Sequence, residues 1–273
     1  MTAMGLLKGI NIGQHYPLDT VIHHLDPRTK IAVALLFMAA VFASFSPASI
    51  ALLAVFSLLA LAASRIPVPI FWRGTRAVRW LIAFTILLHS FITPGGVVLV
   101  HVWRLTATSE GLARGLLMSC RILLMVLTTS LLTLTTSPLL LTDGLERMLS
   151  FLRPLGVPTH ELALMMTIAL RFVPTLAEEA DKIAKAQQAR GADFTSGNLK
   201  QRLEGLLPIL VPLFVAALRR ADELAIAMEA RCYHGGRGRT QFRELQFSSS
   251  DYAVSALTLL FCVASLYLSY GVA

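Results

Sequence analysis

Two arginines sit in nearly matching settings, Ala189-Arg190-Gly191 and Ala230-Arg231-Cys232. A guanidinium is permanently charged and presents a rigid fork of donors, so it grips carboxylates and does no acid–base work near neutral pH. Each tripeptide also has a plain structural use. Gly191 suits the left-handed residue that ends a helix, and Gly235-Gly236 would stop the second helix a turn later. An arginine there also meets the negative end of the helix dipole. Two copies on two long helices favour the other use, a charged probe offered to an acidic groove on a partner.

Other chemistry-bearing residues are sparse. His23-His24 lacks a carboxylate or cysteine at ligand spacing, and Cys120, Cys232 and Cys262 form no CxxC pair, so neither a metal centre nor a disulfide framework is expected. Asp143 and Glu146 share a face of a short amphipathic segment, which reads as a solvated face before it reads as a catalytic pair. Gly235-Gly236-Arg237-Gly238-Arg239-Thr240 lacks the lysine of a phosphate-binding loop and follows a helix, so the chain is not expected to bind ATP by that route. His89 reads as a hydrogen-bonding group, and Arg121 as a side chain reaching for the membrane surface. Arg171 falls where a helix kinks or where headgroups lie. No catalytic residue and no cofactor is expected.

The elements that must carry these residues are mostly apolar. Hydrophobic residues make up 55% of the 273 and charged residues 15%, against about 25% in soluble domains. Mean hydropathy is +0.67. Five apolar runs are candidate membrane spans: Ile31 to Phe45, Ile50 to Ala63, Trp80 to Ile92, Ile122 to Thr136, and Tyr252 to Tyr270. The count rises to between six and eight if the proline-bearing segments or the patch from Val97 to Trp103 also enter the bilayer. That patch follows Pro94-Gly95-Gly96; it can continue a helix, re-enter the membrane or lie on its outer surface. Asp26-Pro27 is a helix start, with Arg28 and Lys30 positioned to reach the headgroups. Met1 to Ile10 does not read as a secretory signal. The net charge is +8. Arg65, Arg73, Arg76 and Arg79 gather in one loop, which the positive-inside rule places in the cytoplasm, together with the N-terminus. The basic residues form no stripe interleaved with aromatics, so membrane lipid is an expected neighbour and nucleic acid is not.

Between the fourth and fifth runs the character changes. Segments from His160 to Arg190 and from Leu199 to Arg231 are each apolar first and polar later, with Pro174, Pro208 and Pro212 in the apolar halves. The polar halves align at an offset of 41: Ala180 with Ala221, Asp181 with Asp222, Ala184 with Ala225, Ala186 with Ala227, Ala189 with Ala230, and Arg190 with Arg231. Fourteen helical residues extend roughly 21 Å. Ala177, Ala180 and Ala184 share one face, as do Ala221 and Ala225, and small residues let two helices cross closely. The expected fold is an all-α polytopic membrane bundle with two long kinked cytoplasmic coupling helices. Its expected sections are residues 1–137 (membrane helices), 138–240 (coupling helices) and 241–273 (linker and last span).

The stretches Leu25-Asp26-Pro27-Arg28-Thr29-Lys30, Gln188-Ala189-Arg190-Gly191-Ala192-Asp193 and Arg219 to Tyr233 carry a resemblance over nearly the whole chain. The sequence resembles the transmembrane T component of energy-coupling factor transporters, of the CbiQ-like family and nearest the branch that shares one module among vitamin-specific capture proteins. The resemblance implies a non-catalytic subunit of the cell membrane. Two ABC-type ATPases would each take one helix end, with Arg190 and Arg231 in their grooves, flanked by Ala189, Gly191, Ala230 and Cys232. A separate small membrane protein, the S component, would capture the vitamin or transition-metal ion. Cys232 stands where glycine is common, which implies a less sharply defined helix end. A self-sufficient secondary transporter is the alternative, but it needs charged residues in mid-membrane and an inverted repeat. A membrane enzyme needs a convergent nucleophile and base, which the spans lack.

Overall fold

A computed structural model describes residues 16, 18–67, 69, 76–102, 105–192, 199–235 and 245–271. The chain is an all-α membrane helical bundle with one small hairpin of strands. In order it forms α1 (Val21–His24), α2 (Pro27–Ala43), α3 (Pro47–Ser64), α4 (Arg76–Ile92), β1 (Val98–Val102), β2 (Leu105–Thr108), α5 (Ser109–Thr135), α6 (Pro138–Leu149), a 3-10 turn (Ser150–Leu155), α7 (Thr159–Ala189), α8 (Leu199–Ala230) and α9 (Ser249–Tyr270). The segments around Met1 to Ile10 and Gly236 to Thr240, with Arg73 of the basic loop, lie outside the described residues.

The chain divides into two compact units. The first comprises residues 14–144 and 244–273. Its core is where α2, α3, α5 and α9 meet, with Phe37, Val41, Leu53, Leu124 and Cys262 buried together. Phe56 stacks on Phe37 at 5.6 Å and packs against Phe261 at 5.0 Å. Hydroxyls inside these helices donate to carbonyls one turn back, as Ser57 does to Leu53, Thr128 to Leu124 and Thr258 to Val254. An apolar surround leaves a hydroxyl few other partners. Large apolar side chains such as Phe42, Leu58, Phe84 and Leu260 remain exposed, a surface suited to lipid.

The start of α2 is an ionic cluster. The Asp26 carboxylate accepts from the Arg28 backbone N–H at 2.8 Å and from the Arg28 guanidinium at 3.0 and 3.1 Å. The Asp26 N–H donates to Asp251 of α9 at 2.8 Å, and Asp251 also accepts from the Ser248 N–H at 2.7 Å. Arg28 further donates to the Leu245 carbonyl and lies over the Phe247 ring. Lys30 is 7% exposed and donates to the carbonyls of His23 and Thr135. The helix start is as expected from Asp26-Pro27, but the cations do not reach outward to headgroups. Asp26 and the carbonyl end of α5 offer them nearer partners.

Arg121 departs from expectation in the same way. It donates to the Ser44 carbonyl just beyond the end of α2 and lies over the Phe45 ring, so it closes a helix terminus instead of seeking the membrane surface. His89 bonds the Thr85 carbonyl at 3.0 Å, the local role expected of it.

From Val97 to Val102 the structure takes a form that none of the readings left open named, a strand hairpin. Gly95 and Gly96, at φ +132° and +76°, turn the chain out of α4, and β1 pairs antiparallel with β2, Val98 opposite Thr108 and Val102 opposite Leu105. The β-branched residues favour strand. Gly111 and Gly115 then let α4 lie against α5. A Cβ on Gly111 would stand 2.5 Å from the His89 carbonyl oxygen, and one on Gly115 3.1 Å from the Ile86 Cα.

Among the described residues, four helices can cross a membrane by length and composition: α3, α5, α7 and α9. The sequence expectation of five spans differs at both margins. Helices α2 and α4 have 17 residues, about 26 Å at 1.5 Å per residue, while α7 joins the set through its apolar half.

The second unit holds residues 145–243. Glu146 is 8% exposed and its carboxylate lies 3.0 Å from His160 Nδ1 at the start of α7. The expected solvated face is therefore a buried polar contact at this residue. Helices α7 and α8, of 31 and 32 residues, stay helical through Pro174, Pro208 and Pro212.

Candidate functional site: two matched helix ends

Helices α7 and α8 run antiparallel. Arg220 of α8 pairs with Glu179 of α7 at 2.5 Å, while Gln187 Nε2 reaches the Pro208 carbonyl at 3.5 Å. As one number rises the other falls. The second contact has a chemical reason. Pro212 has no N–H to offer the carbonyl four residues before it, so the Pro208 oxygen lacks its helical donor, and a side chain from the neighbouring helix supplies one.

The sequence offset of 41 is also a structural one. Glu179 and Arg220 differ by that offset, so the ion pair joins equivalent positions of the two helices. The helix ends repeat it bond for bond. At α7, the Gly191 N–H donates to the Gln188 carbonyl at 2.9 Å and the Ala192 N–H to Gln187 at 3.0 Å. At α8, the Cys232 N–H donates to Glu229 at 2.9 Å and the Tyr233 N–H to Met228 at 3.0 Å. Both are the paired C-terminal bonds of a helix whose next residue turns left-handed. Gly191 has φ +89° and Cys232 φ +57°.

Cysteine therefore forms the cap that glycine forms, and the second helix ends at Ala230, a turn before Gly235. The expected loosening at Cys232 is absent, because two bonds hold the end. The strain of a Cβ in that conformation remains, on the order of 1 kcal/mol. Cys232→Gly should thus stabilise the α8 end by about 0.5 kcal/mol after the added freedom of the unfolded chain is offset. Slower hydrogen exchange at the Tyr233 amide would register it; unchanged or faster exchange would contradict the strain.

Each cap leaves its arginine outside. Ala189, Arg190 and Gly191 are exposed, as are Ala230, Arg231 and Cys232, and neither guanidinium has an ion-pair partner among the described residues. Because the helices are antiparallel, the arginines lie at opposite ends of the pair. Arg231 lies beside the Leu164–Arg171 stretch of α7, some 20 residues from Arg190, or about 30 Å along the axis. The structure separates the two probes, which adjacency in sequence order does not reveal. Of the small residues, Ala177, Ala180 and Ala184 are half-buried, and Ala221 and Ala225 are exposed. Sequence reasoning missed Glu179 and Arg220. Their signal was present, opposite charges at matching positions of the offset repeat.

Between Leu206 and Phe214 the outer surface of α8 is apolar: Leu206, Leu207, Leu210, Val211 and Phe214 are all exposed. The arrangement offers two separated cationic tips and an apolar flank, which suits holding partners.

Residues 19–242 match the family model described as Cobalt transport protein, CbiQ. The chain is 47% identical over 267 residues to an energy-coupling factor transporter transmembrane protein, EcfT, of Acidaminococcus fermentans, covering 98% of this chain and 99% of that one. It is 49% identical over 260 residues to a protein of the same name from Thermosediminibacter oceani, covering 95% and 98%. With that of Bacillus subtilis it shares 44% over 249 residues, 91% and 94%.

Proposed function

The chain belongs to the CbiQ family and is the transmembrane component of an energy-coupling factor transporter, and from that premise we propose that it transmits the motion of two ABC-type ATPase subunits to a separate substrate-capture membrane protein. The observation that carries this reading is the pair of identical caps, each holding an exposed arginine at opposite ends of α7 and α8. A guanidinium on a fixed cap enters a carboxylate-lined groove with little loss of freedom, which favours tight docking.

In this mechanism ATP binds and is hydrolysed in the partners. Arg190 and Arg231 each dock one ATPase, their flanking residues Ala189, Gly191, Ala230 and Cys232 leaving room for the groove walls. Closure of the ATPases displaces both tips, and α7 and α8 carry the displacement along their length. The half-buried stripe Ala177-Ala180-Ala184 lets the helices change their crossing without large side chains interlocking, while Ala221 and Ala225 are exposed and stand clear of it. The S component docks on the apolar flank and releases a vitamin or a transition-metal ion inward. Helix α7, although long and apolar enough to cross a membrane, lies with α8 on the cytoplasmic side of the cell membrane in this reading, so both tips and the N-terminus face the ATPases and ATP.

The test is co-purification from detergent with the two ATPase subunits. Wild type should retain both, and Arg190→Glu/Arg231→Glu should lose both while remaining monodisperse. Equal retention by the two forms would reduce the arginines to helix caps.

A further inference from the structure

We propose that Arg171 is a second docking cation at the α8 end, which seats an acidic segment of one ATPase subunit between two guanidiniums. The inference rests on the proposed docking role of Arg231. A cavity of about 590 Å³ opens beside that residue. Its polar lining is Thr167 and Arg171 from α7, and Arg231, Tyr233 and His234 from the end of α8, over an aliphatic wall that includes Met228. Among the described residues neither Arg171 nor Arg231 is ion-paired. Two guanidiniums facing one cavity repel each other and attract a multiply anionic occupant.

The matched geometry makes the comparison with the other end direct. The ion pair Glu179–Arg220 joins equivalent positions, so the residue standing to Arg190 as Arg171 stands to Arg231 is found at the same offset of 41, and it is Pro212. The counterpart of Tyr233 is Ala192. Among the described residues, one end therefore sets a second arginine beside the capping arginine, and the other sets a proline there. The backbone caps are the same while the charges are not. A transporter built with two different ATPases would be assembled in one orientation by this difference, since an acidic segment placed at the α7 end meets a proline where the α8 end presents Arg171.

The experiment uses the complex of the full chain with both ATPase subunits, and follows the dissociation of each subunit across a salt titration. Arg171→Gln should weaken one subunit about tenfold and flatten its salt dependence, leaving the other unchanged. Arg171→Lys, which keeps the charge, should remain within about threefold of wild type. Unchanged affinity and salt dependence in Arg171→Gln overturns the proposal, as does equal weakening of both subunits. Lysine failing as fully as glutamine would make Arg171 a packing residue. A variant that loses binding only to vesicles containing phosphatidylglycerol would make the cavity a lipid site. Failure of the underlying function has a different signature: Arg190→Glu/Arg231→Glu then still retains both ATPases, whereas failure of this inference alone leaves that double variant defective.

Discussion

Replacing Arg190 alone by glutamate should free one ATPase subunit and leave the other bound, and Arg231→Glu should give the reciprocal loss. The expectation comes from the antiparallel course of α7 and α8, which sets the two tips about 30 Å apart along the axis and rules out a shared groove. A carboxylate forced into an acidic groove replaces attraction with repulsion in a desolvated site, so about 100-fold or more in affinity should be lost at the altered tip. Subunit-resolved mass spectrometry of the purified complex reads this directly. Simultaneous loss of both subunits from either single variant would mean that the tips act through a common element.

The largest effect on folding is expected at Asp251. Its carboxylate accepts the buried N–H groups of Asp26 and Ser248, and so ties the start of α2 to the start of α9 across 225 residues of sequence. Asp251→Ala leaves both donors unpaired and strips a negative charge from a cluster that holds Arg28 and Lys30. The loss should be about 3–5 kcal/mol, in the range for breaking a buried charged contact. The unfolding midpoint of the detergent-solubilised protein should fall by about 10 °C. Asp251→Asn keeps one acceptor oxygen and should fall between the two. A midpoint within 2 °C of wild type, the effect of about 1 kcal/mol or less, would show that water enters and satisfies these donors.

The two predictions draw on parts of the molecule that differ in how openly the sequence displays them. The long helices are legible because their signals are local. Asp26-Pro27, Ser46-Pro47 and Gly191 mark boundaries that the structure keeps within a residue or two. The repeat at offset 41 already pairs the arginines, and the structure adds that the pairing extends to the hydrogen bonds of both caps. What stayed hidden depends on partners distant in sequence. Lys30 reads as a surface cation until the Thr135 carbonyl is seen beside it, and Arg121 until Ser44 is. Glu146 reads as solvated until His160 is placed against it. The β-hairpin was missed for another reason. The four consecutive apolar residues after Pro-Gly-Gly carry no helical period to exclude, and their β-branching is the only cue. Gly111 and Gly115, four apart on an apolar helix, were an available sign of close packing that the reading passed over.

The position of the Glu179–Arg220 pair has a mechanical consequence. It lies eleven residues before Arg190 on one helix and eleven before Arg231 on the other, about 16 Å of helix in each case. From the same contact the helices run back 20 residues to Thr159 and 21 to Leu199, about 30 Å. If the pair serves as a pivot, each helix is a lever with a short arm at its arginine and a long arm nearly twice that length. The two levers are balanced to within a residue. A stroke of a few ångströms delivered at the tips would then emerge about doubled, and reversed in direction, at the far ends, so the gearing of the machine is set by where one ion pair falls along two helices.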